Sequence, residues 1–251
     1  MKSIIEIQDS KFEIDFSSPL DISIPLVEEQ QPHVNAFYLP PTNFEIAKGG
    51  DFVGSVAEGG SCNVKNIFFS PHGNGTHTEC IGHITKEKYT VNDCLKDYFF
   101  TAILVNISPD KLNDDYLITA EQIRKAVGIN KPESLIIRTM PNDESKKNKN
   151  YSGSNPAYVH HEAASLICSI GIKHLLIDLP SMDKEDDGGK LLAHHAFWNY
   201  PASPRINSTI TELVYVPDEI KDGWYFLNLQ VAAFECDASP SRPVLFRMNK
   251  K

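Results

Sequence analysis

The sequence predicts an α/β domain, and three observations carry that prediction. Segments rich in β-branched and aromatic residues recur along the chain, well-punctuated helical segments fall between them, and no repeat, low-complexity tract or linker divides the 251 residues. The elements follow in order. Strands are expected at 12–16, 64–69 and 102–107. A helix then starts at Thr119, with Gln122 three residues later completing a capping box, and stops before Gly128. After a strand at 135–138, residues 142–154 are rich in Asn, Lys and Ser and read as an exposed loop. Asn155 as cap and Pro156 at the first helical position predict a second helix, whose apolar stripe of Val159, Ala163, Leu166, Ile167 and Ile170 ends at Gly171 and should pack on a sheet. A strand at 174–177, a helix at 189–198 and strands at 213–216, 224–231 and 244–246 complete the pattern.

Composition bounds the function. With 41% hydrophobic, 10% aromatic and 23% charged residues the chain is ordinary for a globular protein, which excludes disorder, collagen and coiled coil. A single domain spanning 1–251 is long enough to bury its own core. Twenty-four Lys and Arg against 33 Asp and Glu give a formal charge of -9, which argues against nucleic acid as a partner. Lys146, Lys147 and Lys149 sit beside Asp143 and Glu144 and read as a solvated loop. The amino terminus has no apolar stretch of signal-peptide length, so neither export nor a membrane is expected. Five widely spaced cysteines without a Cys-x-x-Cys pair predict reduced thiols and a cytoplasmic location. The Asn-x-Ser/Thr triplets at Asn74, Asn106, Asn150 and Asn207 are then chance matches. Nucleotide-binding glycine loops and a Gly-x-Ser-x-Gly elbow are absent.

Histidine is concentrated in one place. His72, His77 and His83 fall within twelve residues, together with Glu79. In an extended segment His77, Glu79, Ile81 and His83 share one face, and imidazole with carboxylate is a metal-ligand combination. His72 lies at an odd offset from His77 and joins that face only if Gly73, Asn74 and Gly75 form a bulge or a positive-φ turn. The segment fits a metal or acid/base site, and it also fits a hydrogen-bonded Gly-rich turn beside a sheet. A second group comprises Asp178, Asp183, His194, His195 and Glu212. Asp178 closes a strand and can cap the turn that follows. Adjacent histidines on a helix point about 100° apart, so one of His194 and His195 faces any given site, and His160 and His161 read as solvated. Cys80 points away from the His77 and Glu79 face, into an apolar environment.

At these residues the sequence resembles the cyclase-like metal-dependent hydrolases, which include bacterial kynurenine formamidase and isatin hydrolase and share the pattern His-x-Gly-Thr-His-x-Asp-x-Pro-x-His. Gly75-Thr76-His77-x-Glu79-x-x-x-His83 reproduces most of it. Further matches follow in the family's order: Asp21 to Leu26, Glu162-Ala-Ala with Gly171-Ile, Asp178-Leu-Pro-Ser-Met-Asp183, and Asp237-Ala-Ser-Pro-Ser-Arg242. Three departures stand out. Gly73 occupies the position of the first histidine, with His72 one residue earlier; Glu79 replaces Asp and carries its carboxylate about 1.5 Å further; Ile81 replaces the proline.

The resemblance implies a swivelling β/β/α fold, a mixed sheet with packed helices. It implies that His72, His77, Glu79, His194 (with His195 as the alternative) and Glu212 bind one or two divalent metal ions, zinc or manganese, and that His83 is the catalytic proton carrier. The activity implied is hydrolysis of a C–N bond in a small amide, formamide or lactam. Alternatives on the same site are a lactone or ester hydrolase, a ring-opening or ring-closing enzyme, and an impaired relative that binds a small molecule without turnover. Phe68, Phe69, Phe197, Trp198 and Tyr200 are candidates for an apolar substrate wall or for core. A small-molecule substrate and a homodimer or homotetramer are expected.

Overall fold

The computed structural model describes residues 1–7 and 10–251. Its main sheet has nine strands: β1 (Leu20–Asp21), β2 (His77–Glu79), β3 (Phe99–Ile107), β4 (Ser134–Thr139), β5 (His174–Ile177), β6 (Thr209–Glu212), β7 (Gly223–Asn228), β8 (Ala238–Pro240) and β9 (Val244–Arg247). Their spatial order is β8-β2-β6-β5-β4-β3-β7-β9-β1. The four central strands, β6, β5, β4 and β3, run parallel, and antiparallel strands flank them on both sides. Strands in the middle of such a sheet are covered on both faces and so read as unbroken apolar runs. Leu135-Ile136-Ile137 and Leu175-Leu176-Ile177 are runs of this kind, fully buried, with Ile136 and Leu176 facing one core and their neighbours the other.

Three helices cover one face: α1 (Ala120–Val127), α2 (His161–Ser169) and α3 (Leu192–Trp198). Ile123, Ala163, Ile167, Phe197 and Trp198 meet Ile103, Leu135, Leu175 and Ile210 there. The second core, on the opposite face, gathers Ile22, Phe100, Leu104, Val214, Val216, Leu227 and Leu245. Lys2–Ile7, Ser10–Asp15 and Asn249–Lys250 form a separate antiparallel group, and Asn43–Ile46 pairs with Lys65–Phe68 as a two-stranded ribbon.

The α/β class and the central strands agree with the sequence reading, as does α1 with its Thr119–Gln122 capping box. Four local expectations are corrected. The second helix starts at His161 instead of beside Asn155, because Tyr158–Val159 pairs in parallel with Leu117–Ile118 and Asn155 turns into the left-handed region to reach Asp114 and Asp115. The strand expected at 213–216 lies at Thr209–Glu212. Leu213 at φ 53 ends it, and the apolar residues that follow are buried against residues 22–24. Hydrophobicity there reported burial, not ladder membership. The third helix begins only at Leu192, because the Asp187 carboxylate ties Gly189, Lys190 and Leu191 into a loop. Lys146 is not solvated: it is mostly buried with its ammonium 2.8 Å from Asp178, whose carboxylate also accepts from Thr139 N–H and Oγ1–H. His160 caps α2, while His161 is exposed as expected.

His174 opens β5 at 3% exposure, with Nδ1 2.9 Å from Thr209 Oγ1. Burial first, then the charges of Lys173 and Arg205, press its pKa down to about 3. Below pH 6.5 the unfolded chain takes up a proton that the folded one refuses, so this residue's contribution is complete above that pH and falls as the pH drops. Between pH 6.5 and 5 the stability of the wild type relative to His174→Gln should decline by about 2 kcal/mol, read from urea denaturation at both pH values. A difference constant with pH would show that His174 is not held neutral.

Candidate metal centre

The candidate site lies where β2, β6 and β8 meet, at the carboxy-terminal end of the parallel strands, the usual ligand position in open α/β sheets. Strand parity builds its base. His77 and Glu79 share one face of β2, and Thr78 on the other face bonds Thr211 Oγ1 at 2.8 Å. The antiparallel register sets Glu212 opposite His77 and Ile210 opposite Glu79. Glu212 therefore joins the site, and Ile210 goes to the core. On the other side β8 places Asp237 beside Cys80, whose N–H donates to the Asp237 carbonyl at 2.9 Å.

His83 does not arrive on an extended face. Cys80 and Ile81 are buried in apolar surroundings, and a 3-10 turn at Ile81–His83 folds His83 back until Nδ1 is 3.9 Å from Glu79 Oε2. His72 also arrives differently from expectation. No bulge or positive φ is used: Pro71–Asn74 is a single helical turn and Gly75 is fully extended at φ 173. Both glycines sit in close approach to other backbone: a Cβ at Gly73 would lie 3.0 Å from the Ala36 carbonyl oxygen and one at Gly75 3.2 Å from that of Ile24. The turn sets His72 Nδ1 3.2 Å from Glu79 Oε2 and Nε2 3.0 Å from Asp237 Oδ2.

Helix α3 supplies His194. The Asp183 carboxylate accepts from Ala193 N–H and His194 N–H and also holds His194 Nδ1 at 2.5 Å, so one side chain both caps the helix and orients the ring. His194 Nε2 then lies 3.0 Å from Glu79 Oε1 and 3.8 Å from Glu212 Oε1. His195 turns the other way, its Nδ1 3.3 Å from the Tyr200 carbonyl oxygen. The alternative left open by the sequence thus falls to His194 on geometry.

Electrostatically this is a carboxylate cluster filled with imidazoles. Glu79 is wholly buried, which opposes its charge, yet His83, His194 and His72 hold it well below the usual carboxylate range. Burial disfavours the cationic forms of His72 and His194 too. Asp237 and Glu79 outweigh that for His72, and Asp183 and Glu79 for His194, raising both to about 10. Hydrogen bonds from His72 and His83 depress Asp237.

The donor set fits a metal. His77 Nδ1 lies 3.1 Å from the Gly75 carbonyl oxygen, an arrangement in which Nδ1–H donates and Nε2 carries the lone pair. That Nε2, 3.4 Å from Glu212 Oε2, and Glu79 Oε2 are buried and make no hydrogen bond, a costly arrangement without a further partner. His194, backed by Asp183, has the same tautomeric logic as a ligand oriented by a carboxylate behind it. Ligand atoms of His72, His77 and Glu79, of Glu79, His83 and His194, and of His72, His83 and Asp237 each lie within 4.8 Å of one another.

The sequence groups Asp183 with the second set of carboxylates and histidines and shows Asp237 as part of a carboxy-terminal motif, and it assigns neither a role. Asp237 is 154 residues from His83, and Asp183 becomes identifiable only once the Asp183 and His194 spacing is known to be a loop into a helix start. In front of the cluster opens a cavity of about 420 Å³. Its apolar wall is Phe37, Leu39 and Leu191. The aromatic candidates lie elsewhere: Phe197 and Trp198 are fully buried core, Tyr200 packs on that core, Phe68 is exposed and Phe69 rests against Phe234.

The mixed α/β sheet that carries this imidazole and carboxylate cluster is a fold shared with several solved structures. A structure described as a potential metal-dependent hydrolase with cyclase activity matches with a TM-score of 0.66 at 17% identity, over 91% of this chain and 97% of that one. An isatin hydrolase bound to the product analogue thioisatinate matches with a TM-score of 0.66 at 15% identity, over 91% and 92%. By sequence, two kynurenine formamidases from strains of Bacillus cereus are 30% identical over 193 residues and 28% identical over 199 residues, spanning 75% and 76% of this chain and 82% and 83% of theirs. The putative cyclase family model matches residues 14–184, and the chain belongs to that family.

Elemental analysis of protein purified without chelator should find near-stoichiometric divalent metal that is lost in His77→Ala. Asp183→Asn, which removes the carboxylate behind His194, should weaken metal affinity by about 10–100-fold in competition with a chromophoric chelator. Metal binding unchanged by both substitutions would refute the assignment of these donors.

Proposed function

We propose that the protein is a metal-dependent hydrolase that cleaves the C–N bond of a small amide, formamide or lactam with metal-activated water. The observation that carries this reading is the pair of buried atoms that make no hydrogen bond, His77 Nε2 and Glu79 Oε2, within a cluster of histidines at the floor of a cavity. His72, His77, Glu79, His194 and Glu212 would hold one or two ions, zinc or manganese. A divalent cation bound there lowers the pKa of water toward neutrality and polarises the carbonyl.

The chain's own residues would do the rest. His83 is partly exposed to the cavity, and its Nδ1 is 3.3 Å from Asp237 Oδ2, which leaves Nε2 for the substrate side. It would accept a proton from the attacking water and return it to the leaving nitrogen, a task suited to imidazole. Asp237 would fix the ring orientation for both transfers. The kynurenine formamidase and isatin hydrolase relatives support a formamide or lactam as the first substrates to try. No helix among the described residues is long and apolar enough to cross a membrane, and all five cysteines are free thiols. We read the protein as a single cytoplasmic domain that assembles as a homodimer or homotetramer.

The test is a panel of aryl formamides, lactams and lactones with metal-loaded protein, followed by product mass. Hydrolysis adds one water, whereas ring closure or isomerisation does not. His83→Ala should retain its metal and lose about 10²–10⁴-fold in kcat. Full turnover by that variant would remove His83 from the mechanism, and stoichiometric metal without turnover of any panel member would favour a ligand-binding role.

A further inference from the structure

The cavity also bears on which amides such a site would accept, an inference that rests on the hydrolase reading. Its apolar wall is a built feature. Phe37 and Leu191 both occupy the left-handed backbone region, at φ 59 and φ 46, where large side chains are strained. The chain is held in place beside each: Tyr38 N–H donates to Ser152 Oγ at 2.9 Å, and Leu191 N–H to Asp187 Oδ2 at 2.6 Å. Strain maintained in this way aims apolar side chains at the space above the ligand cluster.

The rim has the opposite character, because Lys184, Glu185, Asp186 and Asp187 line it. The Lys184 ammonium is engaged by Asp115 Oδ2 at 2.8 Å, so it supplies no free countercharge. Glu185 accepts from Gly153 N–H, and Asp187 from the N–H groups of Gly189, Lys190 and Leu191. Backbone N–H groups carry no net charge, so these bonds leave the formal charge of the carboxylates in place. Arginine is absent from the lining. On the floor and just behind it, Glu79, Glu212, Asp183 and Asp237 carry four formal negative charges, with His72, His77 and His194 neutral when they hold a metal. One divalent cation offsets two of these and a second the other two, so the rim keeps the mouth acidic at either occupancy. The whole chain, at -9, reinforces that field.

We propose that the site selects an amide with an apolar, uncharged body and discriminates against one bearing a carboxylate of its own. The same field would expel the product. Water's oxygen bonds to the carbonyl carbon as the C–N bond breaks and the nitrogen takes a proton; at neutral pH the acid formed leaves as an anion.

The test uses metal-loaded protein and two substrates of nearly equal shape, 4-formamidobenzamide and 4-formamidobenzoate. At low ionic strength kcat/KM should favour the neutral benzamide by about tenfold or more. The ratio should shrink as salt rises past about 0.15 M, and again in Asp186→Lys. Equal rates, preference for the benzoate or a ratio indifferent to salt would overturn the inference. Calorimetric binding of the same pair to metal-loaded His83→Ala separates recognition from chemistry. Tighter binding of the benzamide without turnover by the wild type would refute the hydrolase reading and uphold the charge selection. Equal binding of both, or of neither at millimolar concentration, would overturn the charge selection whatever the turnover.

Discussion

The structure around the site depends on one requirement, that the Glu79 carboxylate, with its side chain 1% exposed, be compensated where no water reaches it. Three elements meet that requirement from different directions. The helical turn at Pro71–Asn74 brings His72, the 3-10 turn after β2 brings His83, and α3 brings His194. Each imidazole is then backed by another carboxylate, Asp237 behind His72 and His83 and Asp183 behind His194. The ion-pair network closes around β2, and the register of β2 with β6 adds Glu212 beside His77. Within this network His77 Nε2 and Glu79 Oε2 make no hydrogen bond, and they are candidate ligand atoms for a cation.

The same carboxylates organise the approach to the site. Asp183 starts α3 and orients its histidine, while Asp187, four residues on, ties down the loop whose last residue, Leu191, faces the cavity. The segment between β5 and α3 therefore both orients His194 and lines one side of the cavity. Its stability comes from the end of that helix remote from the cavity, where Phe197 and Trp198 are fully buried and Trp198 Nε1–H donates to the Ser208 carbonyl. A firmly packed helix thus supports a strained loop, an arrangement suited to holding a ligand set in position.

Legibility from sequence followed the range of the interactions involved. Central strands could be read because burial on both faces imposes apolar runs, and α1 because its cap and stop are local. The helix expected at Asn155 failed where pairing with Leu117–Ile118 overrode a good local cap signal. Lys146 failed for a similar reason: its loop looks solvated until Asp178, 32 residues away, is seen to need a cation. In the site, parity alone put His77 and Glu79 together. His72 required knowledge of a turn, and Phe37, Leu39 and Leu191 carry no periodic signal because they lie in irregular segments.

By itself, then, the sequence determined the α/β class, the capped helix, the apolar central strands and the concentration of imidazole and carboxylate between His72 and His83, together with the motif order that connects the chain to its family. Those features are written in near neighbours and in composition. Tertiary structure alone decided that His194 and not His195 enters the cluster, that Asp183 and Asp237 stand behind its imidazoles, and that a strained apolar wall faces an acidic rim. Each of these depends on residues far apart in the chain reaching within a few ångströms, and no local pattern encodes a distance across the fold.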